Sequence, residues 1–319
     1  MTKILGIGNA LVDVLTQLEN DDLLTILELP KGSMQLVDAL KSSEIQKKSS
    51  NLEKNMASGG SAANTIHGLA KLGAETALIG TVGKDETGDF FSNDLEVNNI
   101  TPYLIRSDSP SGIANAMISK DGERTFGTFL GAAIELSANN IDSSKFSGYD
   151  MIHVEGYLVQ NHELLEAILV AAKNNGLKVS IDLASYNVVE DNLEFLKEMV
   201  EKYVDIVFAN EEEAKSFTGL EPVEALDAIS RICDIAVVKV GGKGSMIKQG
   251  DTIVNVGVKE IEPIDTTGAG DAFWSGFLFA YIKERPIQEC LQVALKLAAL
   301  KLQNVGRLPD NINILSKLL

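Results

Sequence analysis

The chain has 319 residues, 45% of them hydrophobic, and a formal net charge of −17, enough apolar material for one large α/β domain or two modest ones. That acidity, with Lys and Arg scattered, argues against a nucleic-acid surface, which needs clustered basic side chains. No stretch approaches the ~18 apolar residues of a membrane span, and Cys233 and Cys290 stand far apart in no metal spacing, so no disulfide framework is expected.

The first stretch, MTKILGIGNALVDV, has no basic region, hydrophobic block or small-residue cleavage site; it reads as a strand over 3–9, and a cytoplasmic protein is expected. GIGNAL begins like a dinucleotide fingerprint but has Leu11 where the third Gly belongs. Residues 11–17 and 33–38 are strand-like, with no crossover helix of normal length between them. Asp13 sits in the apolar run LVDVL, where a charge is costly unless it is paired or ligand-bound; a strand-edge Asp facing water is the alternative. A helix over 61–72 follows the pair Gly59-Gly60, then a strand at 76–82 and a helix at 86–98. Residues 112–129 predict a hairpin turning at Asp121-Gly122. Arg124 on it reads as an exposed charge, although it has the reach for an anionic group if the hairpin closes over a site.

Beyond the hairpin, strands at 150–155, 178–183, 204–209 and 235–240 alternate with helices at 161–175, 191–202, 211–218 and 222–233, and two long helical periods at 270–284 and 287–303 close the chain. Strands alternating with helices mean a parallel sheet covered on both faces. The expected architecture is a three-layer α/β/α domain with a mainly parallel central sheet, plus a small β-sheet lid discontinuous in sequence. The boundaries are 1–10, 39–104 and 132–319 for the core and 11–38 and 105–131 for the lid. A lid usually excludes water from chemistry.

Three stretches carry the chemistry. In DTTGAGDAFWSGFL (265–278), Gly268, Ala269 and Gly270 have no side chain beyond a methyl and lie where a helix starts. Their backbone N–H groups, at the positive end of the helix dipole, suit an anion. Asp271 follows in the first turn, where it is either a dipole partner or a base placed to touch both a phosphate and an attacking hydroxyl. Asn210-Glu-Glu-Glu213 is a good capping box at the end of a strand, a position that also faces the ligand crevice of a parallel sheet. GGKGS at 241–245 lacks the spacing of a Walker A loop and serves equally as a plain turn. His67 and His153 show no metal or triad arrangement and read as structural.

DTTGAGDAFWSGFL resembles the C-terminal signature of the ribokinase or PfkB family of carbohydrate and nucleoside kinases, and SGGSAANTIHGLAKLG (58–73) is similar to its N-terminal one. The resemblance spans nearly the whole chain and implies a ribokinase-like fold and transfer of the ATP γ-phosphate to a primary alcohol. It implies Asp271 as base and the N–H groups of Gly268, Ala269 and Gly270 as anion hole. Asp13 would accept hydrogen bonds from two ribose hydroxyls, with Asn9, Gly60 and Asn64 completing the grip. Asn210 would help place the phosphates and Glu213 the Mg²⁺, through water. Gly241, Lys243 and Gly244 resemble the phosphate-side loop, Asn304 and Gly306 the adenine segment, and Asp265 and Thr267 match positions that bind a monovalent cation such as K⁺ in some relatives. GNALVDVL followed by KGSMQLVD is closer to the adenosine-kinase-like branch than to ribokinase. Tyr157, Phe126 and Phe129 are candidate walls for a base, although Tyr157-Leu158 stands where that branch usually has paired aromatics. A sugar remains the alternative acceptor, a non-catalytic nucleoside- or sugar-binding regulator the alternative class, and a monomer or a lid-mediated homodimer the expected assembly.

Overall fold

The computed structural model describes residues 3–258 and 261–309; the parts of the expected core at 1–2, 259–260 and 310–319 lie outside them. In chain order the strands are β1 (Lys3–Ile7), β2 (Leu11–Gln17), β3 (Met34–Leu36), β4 (Lys54–Gly59), β5 (Glu75–Gly83), β6 (Ile100–Ser107), β7 (Gly112–Ile118), β8 (Arg124–Phe129), β9 (Met151–Val154), β10 (Lys178–Asp182), β11 (Ile206–Ala209), β12 (Ile235–Lys239), β13 (Ser245–Gln249) and β14 (Thr252–Val256). The large sheet runs β14-β13-β12-β11-β10-β9-β1-β5-β6, with every pair from β12 to β6 parallel and the last two antiparallel.

The apolar runs read in the sequence fill both faces of this sheet. Successive side chains of a strand point to opposite sides, so Leu5 and Ile7 of β1 enter one helical layer and Ile4 the other. Val207 and Ala209 of β11 divide from Ile206 and Phe208 in the same way. Helices His162–Asn174, Leu193–Tyr203, Glu211–Thr218 and Pro222–Ile229 cover the first face. Ser61–Lys71, Glu86–Val97, Ala269–Ile282 and Ile287–Leu302 cover the second. The helix expected at 191–202 is Leu193–Tyr203, preceded by a short helix Tyr186–Asp191 that was not expected, and the one expected to reach 233 ends at Ile229. No helix among the described residues is long and apolar enough to cross a membrane.

The second sheet has the order β3-β8-β7-β2-β4 and holds the expected hairpin, β7 and β8, turning through Gly122 at φ 84°. Only the one-turn helix Asp22–Ile26 lies between β2 and β3. The sheet also contains β4, bonded antiparallel to β2, and it buries Ile45 of the helix Ala39–Lys48 with Leu18, Leu27, Leu29 and Met117. Residues 39–59 therefore pack with the lid sheet rather than the large one, and β6, which runs to Ser107, belongs to the large sheet. The physical reason is register: β2 has a free antiparallel edge beside it, and KNMASG returns along that edge before the Gly59-Gly60 turn.

Candidate active site

β1 lies between β5 and β9, and the chain order reverses there, which opens a crevice at the carboxyl ends of the strands. At or just past those ends stand Asn9, Glu155, Asp182, Asn210 and Lys239, from β1, β9, β10, β11 and β12. Asn9 Nδ2 donates to Glu155 Oε1 at 2.7 Å, and Glu155 Oε2 accepts from the Ala62 N–H at 3.2 Å. Asn9 thus ties β1 to β9. Gly60, at φ 95°, needs its missing side chain, because a Cβ would collide with the Asn9 carbonyl oxygen.

Two glycine-started helices meet at Asp271. Gly268, at φ 74°, opens the helix Ala269–Ile282, and Gly60 opens Ser61–Lys71. Asp271 Oδ1 accepts from Ser61 Oγ at 2.9 Å and Oδ2 from Asn64 Nδ2 at 2.9 Å, the two donors lying three residues apart on one helix face. Burial raises the Asp271 pKa, and the bonds from Asn64 and Ser61 and the charges of Lys239 and Lys301 oppose that rise. Of the three expected anion-hole donors, the Ala269 N–H is already turned to the Thr266 carbonyl at 3.2 Å. Gly268 and Gly270 have no protein acceptor on their N–H groups among the described residues. Lys239 supplies a charge beside them. Its ammonium lies 4.0 Å from the centre of the Trp274 ring, and a Cβ on Gly270 would come within 3.1 Å of it. Burial lowers the Lys239 pKa against the pull of Glu213, Asp271 and Asp182.

Toward the second sheet, Asp13, Asn64, Asp271, Arg124 and Arg307 line one pocket with Thr267 and Gly268. Burial and the nearby Asp271 push the Asp13 pKa up to about 7, while Arg307 and Arg124 restrain it. Gly59 leaves the space that the Asp13 carboxyl occupies. Arg124 is not the exposed charge that the hairpin suggested. Its guanidinium sits 2.8 Å from Asp265 Oδ2, with the two side chains 9% and 1% exposed, because folding the hairpin over the core brings β8 against the 265–268 turn.

The other candidates lie apart from that pocket. Tyr157 is half-buried, and burial raises its pKa, helped by the charges of Asp182, Glu155 and Glu213. Asn210 and Glu213 form the expected capping box: Glu213 N–H donates to Asn210 Oδ1 at 2.9 Å, and Asn210 N–H and Nδ2 donate to the Glu213 oxygens at 2.8 and 2.7 Å. Gly241 and Lys243 are exposed on a turn joining β12 to β13, and Gly244 (φ 102°) leaves room for the Val256 carbonyl. Asn304 gives its side-chain amide to the Leu300 carbonyl at 2.7 Å. Phe126 and Phe129 sit in β8, and neither is among the residues lining the Asp13–Asp271 pocket. His67 bonds Ser58 Oγ at 2.7 Å and His153 bonds Ser180 Oγ at 3.0 Å; burial takes both to a pKa of about 3, so they stay neutral. Among the described residues no cluster of three or more His, Cys, Asp or Glu side chains could hold a metal ion. The Glu213 carboxyl is buried, and both its oxygens accept from Asn210.

The sequence profile described as pfkB family carbohydrate kinase matches residues 34–312. The chain belongs to this family of kinases. A crystal structure of a probable sugar kinase from Rhizobium etli superposes with a TM-score of 0.87 at 30% identity, covering 100% of both chains. Adenosine kinase from Sinorhizobium meliloti superposes at 0.84 and 30% identity, over 97% of this chain and 96% of that one. An uncharacterized sugar kinase of Archaeoglobus fulgidus is 30% identical over 245 residues, 75% of this chain and 96% of its own length. The protein is accordingly a kinase acting on a sugar or nucleoside hydroxyl, built on the ribokinase-like fold.

Sequence reasoning missed Glu155, Asp182, Lys239, Ser61 and Arg307 in this kinase. The available signal was position: each of the first three ends or follows an apolar parallel strand, the place where such sheets bind ligands. Burial raises Glu155 to about 7, and burial with the charges of Glu155, Glu213 and Asp271 raises Asp182 to about 8. Because these carboxyls bind protons more tightly folded than unfolded, their contribution to stability is full below the unfolded pKa of about 4 and is lost as pH rises through about 8. The ligand-free kinase is expected to melt at a lower temperature at pH ~8.5 than at pH ~6, and Asp182→Asn to flatten that decline, as read by scanning calorimetry. A decline of equal size in the variant would remove Asp182 as a source.

Proposed function

We propose that this kinase transfers the ATP γ-phosphate to the primary hydroxyl of a ribonucleoside, adenosine being the acceptor favoured by the sequence. The observation that carries the reading is the placement of Asp271, held by Ser61 and Asn64 in the same pocket as Asp13. Asp13 binds the ribose hydroxyl pair, which directs the 5′-hydroxyl toward Asp271. Asp271 takes the proton of that hydroxyl as it attacks. Lys239 and the N–H groups of Gly268 and Gly270 hold the charge that develops on the phosphoryl oxygens, assisted by the helix dipole. Mg²⁺ bound with ATP would offset the phosphate charge, and the Glu213 carboxyl would hold it through water. Similarity to the adenosine kinase of Sinorhizobium meliloti across nearly the full length supports a nucleoside. The equal identity to the probable sugar kinase of Rhizobium etli supports a second reading, a sugar acceptor.

The test is ADP release with ATP and Mg²⁺ over a panel of adenosine, inosine, ribose and fructose. Adenosine is expected to give the highest kcat/KM. Turnover with sugars alone would replace the nucleoside reading by the second, and binding without turnover on any acceptor would point to a regulator.

A further inference from the structure

Asp265 and Thr267 match a monovalent-cation site, but the residues present do not fit a free ion there, because a side chain already stands in its place. Lys301, from the helix Ile287–Leu302, points its ammonium at Asp265 Oδ2 (2.6 Å), the Asp265 backbone carbonyl (3.2 Å) and the Asn304 backbone carbonyl (3.1 Å). One carboxylate and two carbonyl oxygens form the hard-oxygen ligand set that suits a singly charged cation, and an ammonium has three donors to satisfy them. The two side chains are 2% and 1% exposed, so the charge is enclosed in protein.

The remaining valences of Asp265 are also taken. Arg124 reaches Oδ2 at 2.8 Å, the Gly306 N–H donates to Oδ2 at 3.0 Å, and the Thr267 N–H donates to Oδ1 at 2.9 Å. A further ion would meet two fixed positive charges around one carboxylate. Asp265 thereby ties together the hairpin of the second sheet, the end of the Lys301 helix and the turn leading to Gly268. A Cβ on Gly268 would lie 3.8 Å from Lys301 Cε, which places this assembly directly beneath the anion hole.

We propose that Lys301 is a built-in replacement for a monovalent activating cation, so that the protein folds and turns over without K⁺. It is a positioning residue: it acts on the reacting groups through Asp265 and the 265–268 turn. The turnover part rests on the kinase reading above; the cation-binding part does not.

The experiment compares KCl, NaCl, NH₄Cl and tetramethylammonium chloride at equal ionic strength, reading melting temperature without substrates and ADP release with them. The wild-type protein is expected to show the same melting temperature in all four salts and turnover equal within about twofold. A melting temperature that rises with K⁺ over tetramethylammonium, or a severalfold activation by K⁺, would overturn the proposal, and this comparison stands whether or not any variant folds. In Lys301→Ala, which vacates the oxygens, the melting temperature is expected to fall in tetramethylammonium chloride and to recover in NH₄Cl or KCl. A folded variant equally stable in all four salts would also count against Lys301 as a cation replacement. If no acceptor is ever phosphorylated, the melting comparison still decides the cation question, so failure of the kinase reading is separable.

Discussion

Asp271→Asn is expected to lower kcat by about 10³-fold while leaving the KM for the acceptor nearly unchanged, because general-base contributions run from ~10² to ~10⁴. The amide keeps the volume of the carboxyl and one acceptor oxygen, for either the Ser61 hydroxyl or the Asn64 amide, but it cannot take a proton. Stability should not suffer. Burial disfavours the ionised Asp271, and its removal relieves the repulsion that raises Asp13 and Asp182. The melting temperature of the variant at pH ~8 is therefore expected to equal or exceed that of the parent. Stopped-time ADP release together with calorimetry reads both effects. Turnover within a few-fold of wild type would assign the proton to another group.

Lys239→Met is expected to cost about 10²-fold in turnover, the loss typical of removing one preorganised donor from developing charge. The thioether retains contact with Trp274 and occupies the same stem volume, so the packing of Trp274 against Phe208 (ring centres 4.5 Å apart) persists. The substitution also carries a pH signature that a merely structural lysine would lack. The Lys239 charge holds the Glu213 and Asp271 carboxyls down against burial. Without it their pKa values rise further, and the acidic limb of the pH–rate profile, which requires Asp271 ionised, moves to higher pH. A variant with lower turnover but an unmoved acidic limb would leave Lys239 as a packing residue only.

The parts of the fold legible in the sequence are those in which one physical signal dominates. Runs such as KVSID and IAVVK are buried on both faces, and their helices repeat apolar residues at a helical period, so both stand out. The strands that escaped notice are edges or half-exposed. ITPYLIRS contains Pro102 and forms the outer strand of the large sheet, where a missing N–H is tolerated, and KNMASG carries polar and glycine residues because it edges the small sheet. Site residues divide along the same line. Asp271 and the glycines before it stood out because small residues at a helix start are unusual, and Asp13 because a charge inside an apolar strand is costly; Asn64 was implied only by the resemblance of SGGSAANTIHGLAKLG to a family signature. Glu155, Asp182 and Lys239 each look like an ordinary charged residue at the end of a strand; they acquire meaning only when the parallel order sets those ends side by side. Lys301 was hidden for a related reason. A lysine in LAALKLQ reads as the solvent side of a helix, and only the folded chain brings it to Asp265. For Arg124 the reach toward an anionic group was legible, but its partner Asp265 was hidden by distance along the chain.

In the proposed reaction, Asp271 and Asp13 present one primary alcohol to the phosphate of ATP. Mass spectrometry and phosphorus NMR of the product formed from adenosine, ATP and Mg²⁺ address it most directly. One new phosphate ester is expected, on the 5′-hydroxyl, formed in equal amount to ADP and about 10³-fold more slowly with Asp271→Asn. ADP accumulating without a phosphorylated acceptor, or an ester on a ring hydroxyl, would contradict it.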